Sequence, residues 1–148
     1  MPCPRVFLNS GKKYVDAFSA LAIFVGAGLG ALLRWVLGQA LNPVFPTLPL
    51  GTLAANVLGG LMIGLAMGFF AQFESLPPTV RLAVTTGFLG GLTTFSTFSA
   101  ETVTLVLRAE YLWAGVLIFA HLALSLLATL GGIAAIGWLY NSAPGAAP

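Results

Sequence analysis

Gly87-Phe88-Leu89-Gly90-Gly91-Leu92-Thr93-Thr94-Phe95-Ser96-Thr97-Phe98-Ser99-Ala100-Glu101 lies inside an apolar stretch long enough to cross a membrane. Paired glycines, five hydroxyls and two phenylalanines three apart make a poor lipid-facing helix. An unpaired backbone group in hydrocarbon costs several kcal/mol. A span that breaks here must meet protein, water or an ion, so function is expected at this segment.

Composition sets the class. The chain has 148 residues, 58% hydrophobic and only 7% charged, whereas a soluble domain carries about a quarter charged residues. The reading is an all-α integral membrane protein with almost no soluble domain. A net charge of +2 gives no argument for nucleic acid. The single Cys3 excludes an intrachain disulfide. Lys12 and Lys13 before an apolar run imitate a signal peptide, but Ala17 to Leu37 exceeds an h-region of about 7–15 residues. That run is read as the first membrane helix.

Four segments match the roughly 20 apolar residues that a span needs. They run over about Ala17–Leu41, Leu50–Phe73, Thr79–Leu107 with an interruption near Gly90–Thr94, and Tyr111–Tyr140. Asn42-Pro43, Pro77-Pro78 and Arg108-Ala109-Glu110 separate them. The expected organisation is a tail over 1–14, a four-helix transmembrane domain over 15–141 and a tail over 142–148. Four spans put both termini on one side with Arg5, Lys12, Lys13 and Arg81, against Arg34 and Arg108 on the other. This charge bias is weak. Gly26 and Gly30, and Gly60, Gly64 and Gly68, form small-residue stripes suited to close packing, within the chain or between subunits. Four helices enclose little room for a pore, so conduction would call for an oligomer.

Polar residues at membrane depth usually face the protein interior. Thr52 and Asn56, four apart, share a helical face. Asn56 suits either a helix–helix hydrogen bond or a pore. Gly90-Gly91 are conformationally permissive, and a break there exposes carbonyls of one half-helix and amides of the next, suited to a small cation and an anion respectively. The hydroxyls of Thr93, Thr94, Ser96, Thr97 and Ser99 either serve that break or bond back within their helix. Phe95 and Phe98 share a face. They either pack, or turn their positive ring edges towards an anion. His121 and Ser125 share a face of the fourth helix, as hydrogen-bonded core or as lining of an aqueous path. Arg34 and Arg108 sit near one membrane surface as anchors, and Glu101 suits a vestibule or a pair with an arginine. The lone histidine and cysteine argue against a side-chain metal site.

Gly51-Thr52-Leu53-Ala54-Ala55-Asn56-Val57-Leu58-Gly59-Gly60, with Gly87 to Ser99, resembles the Fluc (CrcB) fluoride channel family. Gly28-Leu29-Gly30-Ala31-Leu32-Leu33-Arg34 resembles that family's first-helix motif. The resemblance covers all four helices. It implies a bacterial inner-membrane channel, an antiparallel dual-topology homodimer with two pores. It implies Phe95 and Phe98 as ring-edge ligands of fluoride, Asn56 as the pore asparagine, and Thr94 and Ser96 in the hydroxyl-rich break. The backbone carbonyls of Gly90 and Thr93, from two subunits, would hold a central sodium ion. Arg34 would sit in the vestibule and Glu101 near the end of the path. Family members carry two serines, four apart, as a polar track on the fourth helix; here His121 stands at the first position and Ser125 at the second. Imidazole donates one hydrogen bond when neutral and two when charged, so this track is expected to be pH-sensitive.

The expected function is passive, fluoride-selective export that reduces fluoride toxicity, with no enzymatic activity. Many partial positive charges replace the ion's hydration without a full charge to trap it. No carboxylate lies at mid-membrane to couple protons. A small dual-topology multidrug transporter is the alternative, but Asp16 and Glu101 lie towards helix ends rather than mid-membrane. An intramembrane protease built on Ser96 and His121 lacks a nucleophile motif.

Overall fold

The computed structural model describes residues 17–73 and 75–142. The expectations for both tails, with Cys3, Arg5, Lys12, Lys13 and Asp16, lie outside those residues, as does Glu74. Helix α1 spans Ala17–Leu41 and α2 spans Leu50–Gln72. Helix α3 covers 78–92 in three consecutive parts: α-helical Pro78–Leu82, π-helical Ala83–Leu89 and α-helical Gly90–Leu92. Helix α4 is Phe95–Leu107 and α5 is Tyr111–Asn141. The described structure is all helical, and three of its helices are long and apolar enough to cross a membrane: α1, extended by its following turn to Val44, α2 and α5. The 13 residues of α4 reach only about 20 Å at the α-helical rise, so it spans nothing without α3.

Proline and polar caps set the helix ends. Asn42 and Pro43 close α1 in a 3-10 turn, and the Asn42 Oδ1 accepts the Gly51 amide at 2.8 Å, satisfying an orphan donor of α2. At the other end of α2, the Arg81 guanidinium donates to the carbonyls of Phe70 and Phe73 at 3.3 and 2.9 Å and lies over the Phe70 ring. Arg81 thereby caps the end of α2 where the dipole is negative.

Small residues set the packing. A side chain on Gly64 would run into the backbone of Thr129 on α5, and one on Gly30 into the Phe88 carbonyl on α3. Both glycine stripes are therefore used inside the chain: Gly60, Gly64 and Gly68 against α5, Gly26 and Gly30 against α3. The apolar core is small. Ala55, Leu89 and Leu92 make one buried cluster, and Phe98, Leu105, Ala114 and Leu117 another. Large side chains such as Phe24, Trp35, Phe119 and Leu126 point outward, as expected of a protein whose solvent is lipid.

The α4–α5 connection ends α4 with two reversed bonds, Ala109 N–H to the Val106 carbonyl and Glu110 N–H to the Leu105 carbonyl, each 2.9 Å. This geometry puts Ala109 at φ 59°, a left-handed position that favours glycine. Ala109→Gly should therefore raise stability by about 1 kcal/mol, read as a higher melting temperature of the detergent-solubilised protein; a lower one would show that the turn is not the strained element.

Candidate functional site

Helical backbone stops at Leu92 and resumes at Phe95. Thr93 and Thr94 between them are extended, at φ −82°, ψ 152° and φ −150°, ψ 116°. The glycine pair is not the break itself. Gly90 has ordinary helical angles, φ −63° and ψ −36°, and Gly91 is helical too. Gly91 is small for another reason: a side chain there would meet the backbone of Ala27 on α1.

Side chains take up backbone groups that the interruption frees. Asn56 on α2 accepts the Thr94 amide at its Oδ1 (2.8 Å) and donates its Nδ2 to the Thr94 carbonyl (3.1 Å). Its side-chain amide thus acts as a neighbouring strand would. One N–H of Asn56 is left beyond this pair. The Thr94 hydroxyl oxygen accepts the Thr97 amide at 3.2 Å and so caps α4. That hydroxyl also bonds those of Thr97 and Ser96, at 3.0 and 3.2 Å. The Gly91 carbonyl accepts the Arg34 Nε at 3.0 Å. Arg34 therefore reaches the interruption. The Thr93 hydroxyl bonds back to Leu89, and that of Ser99 to Phe95; these two are spent within their own segments.

Beside the interruption lies a cavity of about 480 Å³. Asn56, Thr94, Phe95, Phe98, His121 and Ser125 all line it, together with Gly90 and Thr93. Among the described residues, no acidic or basic side chain other than the imidazole does. Ser96 is exposed and outside this lining. The rings of Phe95 and Phe98 are 5.6 Å apart at 54°. Phe98 is buried and stacks on His121 at 4.6 Å, whereas Phe95 is 78% exposed. His121 is 5% exposed and its Nδ1 bonds the Leu117 carbonyl at 3.0 Å.

Glu101 belongs to a second cavity of about 310 Å³, shared with Thr97, Thr104 and Arg108. Its Oε1 accepts the hydroxyl of buried Thr52 at 2.6 Å, while its Oε2 is buried without a partner. Sequence reasoning missed the Thr52–Glu101 bond and the Arg34–Gly91 bond. A signal for the first exists: Thr52 shares the helical face of Asn56, and both reach towards 93–101. Nothing in the sequence marks the π-helical run of α3, although such runs often sit at functional sites.

The arrangement defines a class: a multi-pass helical membrane protein whose polar groups converge on a helix interruption. The chain belongs to the CrcB-like, camphor resistance (CrcB) family, whose profile matches residues 21–133. Relatives include the fluoride-specific ion channel FluC of Nitrosospira multiformis, 60% identical over 122 residues, 82% of this chain and 95% of that protein. The protein of the same name from Tolumonas auensis is 55% identical over 125 residues, 84% of this chain and 98% of the relative. That of Nitrosomonas europaea is 53% identical over 122 residues, covering 82% and 96%.

Asn56→Ala would strand the amide and the carbonyl of Thr94 together. Each buried unsatisfied group costs about 1–3 kcal/mol. The variant should lose about 2–4 kcal/mol of stability and exchange the Thr94 amide hydrogen faster, as measured by hydrogen exchange. Unchanged protection at Thr94 would show that the clamp does not hold the segment.

Proposed function

We propose that this chain is a fluoride-selective channel through which fluoride leaves a bacterium passively across the inner membrane, lowering its toxicity. The observation that carries this reading is one cavity at the interruption where Asn56, Thr94, Phe95, Phe98, His121 and Ser125 meet without a carboxylate, lysine or arginine. The names of the relatives support it.

Fluoride is small and holds water tightly. Its passage needs donors that replace that water yet release the ion. The unpaired N–H of Asn56, the hydroxyl of Ser125 and the ring edges of Phe95 and Phe98 supply partial positive charge only, the single O–H of Thr94 being donated to Thr97. The Phe98 ring lies 4.6 Å from the His121 imidazole, tilted by 39° to it. Ser96 serves through the Thr94 hydroxyl that it bonds. Arg34, partly buried beside Gly91, and Glu101, in the second cavity with Arg108, belong to the vestibules. The cavity has no carboxylate to bind a cationic drug or to carry a proton, which disfavours a multidrug transporter and fluoride/proton exchange.

In this reading α3 and α4 together form the third of four spans, interrupted at mid-membrane. The working unit is an antiparallel, dual-topology homodimer. Phe95 lines the cavity yet is largely exposed, so a single chain leaves the site open on one side and a second copy closes it. Extended backbone at Thr93 and Thr94 removes the amides that the last carbonyls of α3 would meet in a continuous helix. Neutral carbonyl oxygens suit a hard cation. Those of Gly90 and Thr93, from both subunits, would hold a sodium ion, which supplies positive charge where two half-helices end.

Liposomes loaded with fluoride and chloride and carrying the purified chain should release fluoride and retain chloride, read with ion-selective electrodes. Phe98→Ile should slow fluoride efflux by about tenfold, the order expected for losing one ring contact. Chloride efflux as fast as fluoride, or no fluoride efflux from folded protein, would sink the channel reading. Fusions reporting the location of the C-terminus should find it on both sides of the membrane; one orientation throughout would defeat dual topology.

A further inference from the structure

His121 is the only histidine in the chain, and its geometry fixes its tautomer. The Leu117 carbonyl can only accept, so Nδ1 carries the proton in their 3.0 Å bond. In the neutral ring Nε2 is then a bare acceptor. That atom is buried and has no protein partner. The ring that carries it lines the cavity beside Phe98, to which it is stacked. Nε2 itself is too enclosed for a water or a fluoride ion to touch, so an anion in the cavity senses the charge of the ring rather than this atom. Protonation at Nε2 turns the neutral ring into a cation beside Phe98 while the bond to Leu117 stays intact.

We propose that His121 makes fluoride passage through this chain proton-dependent, its imidazolium form placing a positive charge beside Phe98 at the cavity wall. This rests on the fluoride reading and deepens it. Among the described residues, no other titratable group lines the cavity. Helix α2, against which α5 packs most extensively, carries no charged residue, and α4 brings only Glu101, whose Oε1 is held by Thr52 and which lines the second cavity. On the turn before α2, Leu48 packs against the core cluster of Leu117, and the segment 45–49 has no charge. Among the described residues of one chain, the imidazole is thus the one group lining this cavity whose charge can change with pH.

Binding and protonation must favour each other reciprocally. The full chain, labelled with ring-¹⁵N histidine in lipid bicelles, gives one pair of imidazole signals. In the neutral ring these should be a protonated Nδ1 and an unprotonated Nε2. Sodium fluoride should raise the titration midpoint by about 0.5 pH unit, a roughly threefold preference for the protonated form, and sodium chloride should not. In liposomes, with leak from protein-free vesicles subtracted, fluoride efflux should rise several-fold from pH ~7.5 to ~5.5 as the imidazolium fraction grows. His121→Ser should show a flat profile. A fluoride-independent midpoint, a protonated Nε2 in the neutral ring, or the same pH ratio in both proteins would overturn the proposal while leaving the channel reading standing. Absence of fluoride efflux from both proteins at every pH would instead remove the channel reading.

Discussion

The pairing of the Asn56 side chain with the backbone of Thr94 is the constraint on which the site depends. Two extended residues inside an apolar helical segment release backbone groups that lipid cannot satisfy. Asn56 returns both bonds from a neighbouring helix, at 2.8 and 3.1 Å. The Thr94 hydroxyl then caps the next helix, and Arg34 takes the carbonyl of Gly91. With these three side chains holding the backbone, the Ser125 hydroxyl and the rings of Phe95 and Phe98 are left to face the cavity.

Helix α2 supports this arrangement by serving two neighbours. Along one stripe of positions four apart, Gly60 and Gly64 admit α5 to backbone contact. One to three turns earlier on that stripe, Thr52 and Asn56 hold Glu101 and Thr94. Close approach at the glycines draws in His121 and Ser125, which stand on α5 and line the same cavity as Asn56. A helix with bulky residues at Gly60 and Gly64 would keep α5 too far away for these groups to share one cavity.

The helices are largely legible in the sequence because prolines and asparagines punctuate long apolar runs. Asn42-Pro43 and Pro77-Pro78 lie where the structure turns. The partnership of α2 with the 93–101 segment is legible in part, through the spacing of Thr52 and Asn56. How Asn56 is used is not, since an amide four residues from a threonine suits a pore and a clamp equally well. The glycine pair misleads, because permissive backbone and close packing select the same residue. Only the positions of Ala27 and of extended Thr93 separate the two causes. Arg34 looks like an interfacial anchor in sequence, because a sequence shows how far along a helix an arginine lies but not which carbonyl lies within its reach.

The π-helical run Ala83–Leu89 fixes the rotation of the helix beyond it. Gly87 and Gly91 face the backbone of α1 at Ile23 and Ala27, while Leu89 and Leu92 are buried with Ala55. Removing one residue from an α-helix turns the downstream residues by about 100°. Because π-helical turns hold more residues than α-helical ones, a one-residue deletion inside Ala83–Leu89 that tightened the run to regular α-helix would leave Gly91 facing α1 and Thr94 facing Asn56. A deletion between Gly90 and Thr94, where no such slack exists, would carry Thr94 away from Asn56. The segment between Arg81 and Thr94 thus has one stretch that absorbs a change of length and one that does not.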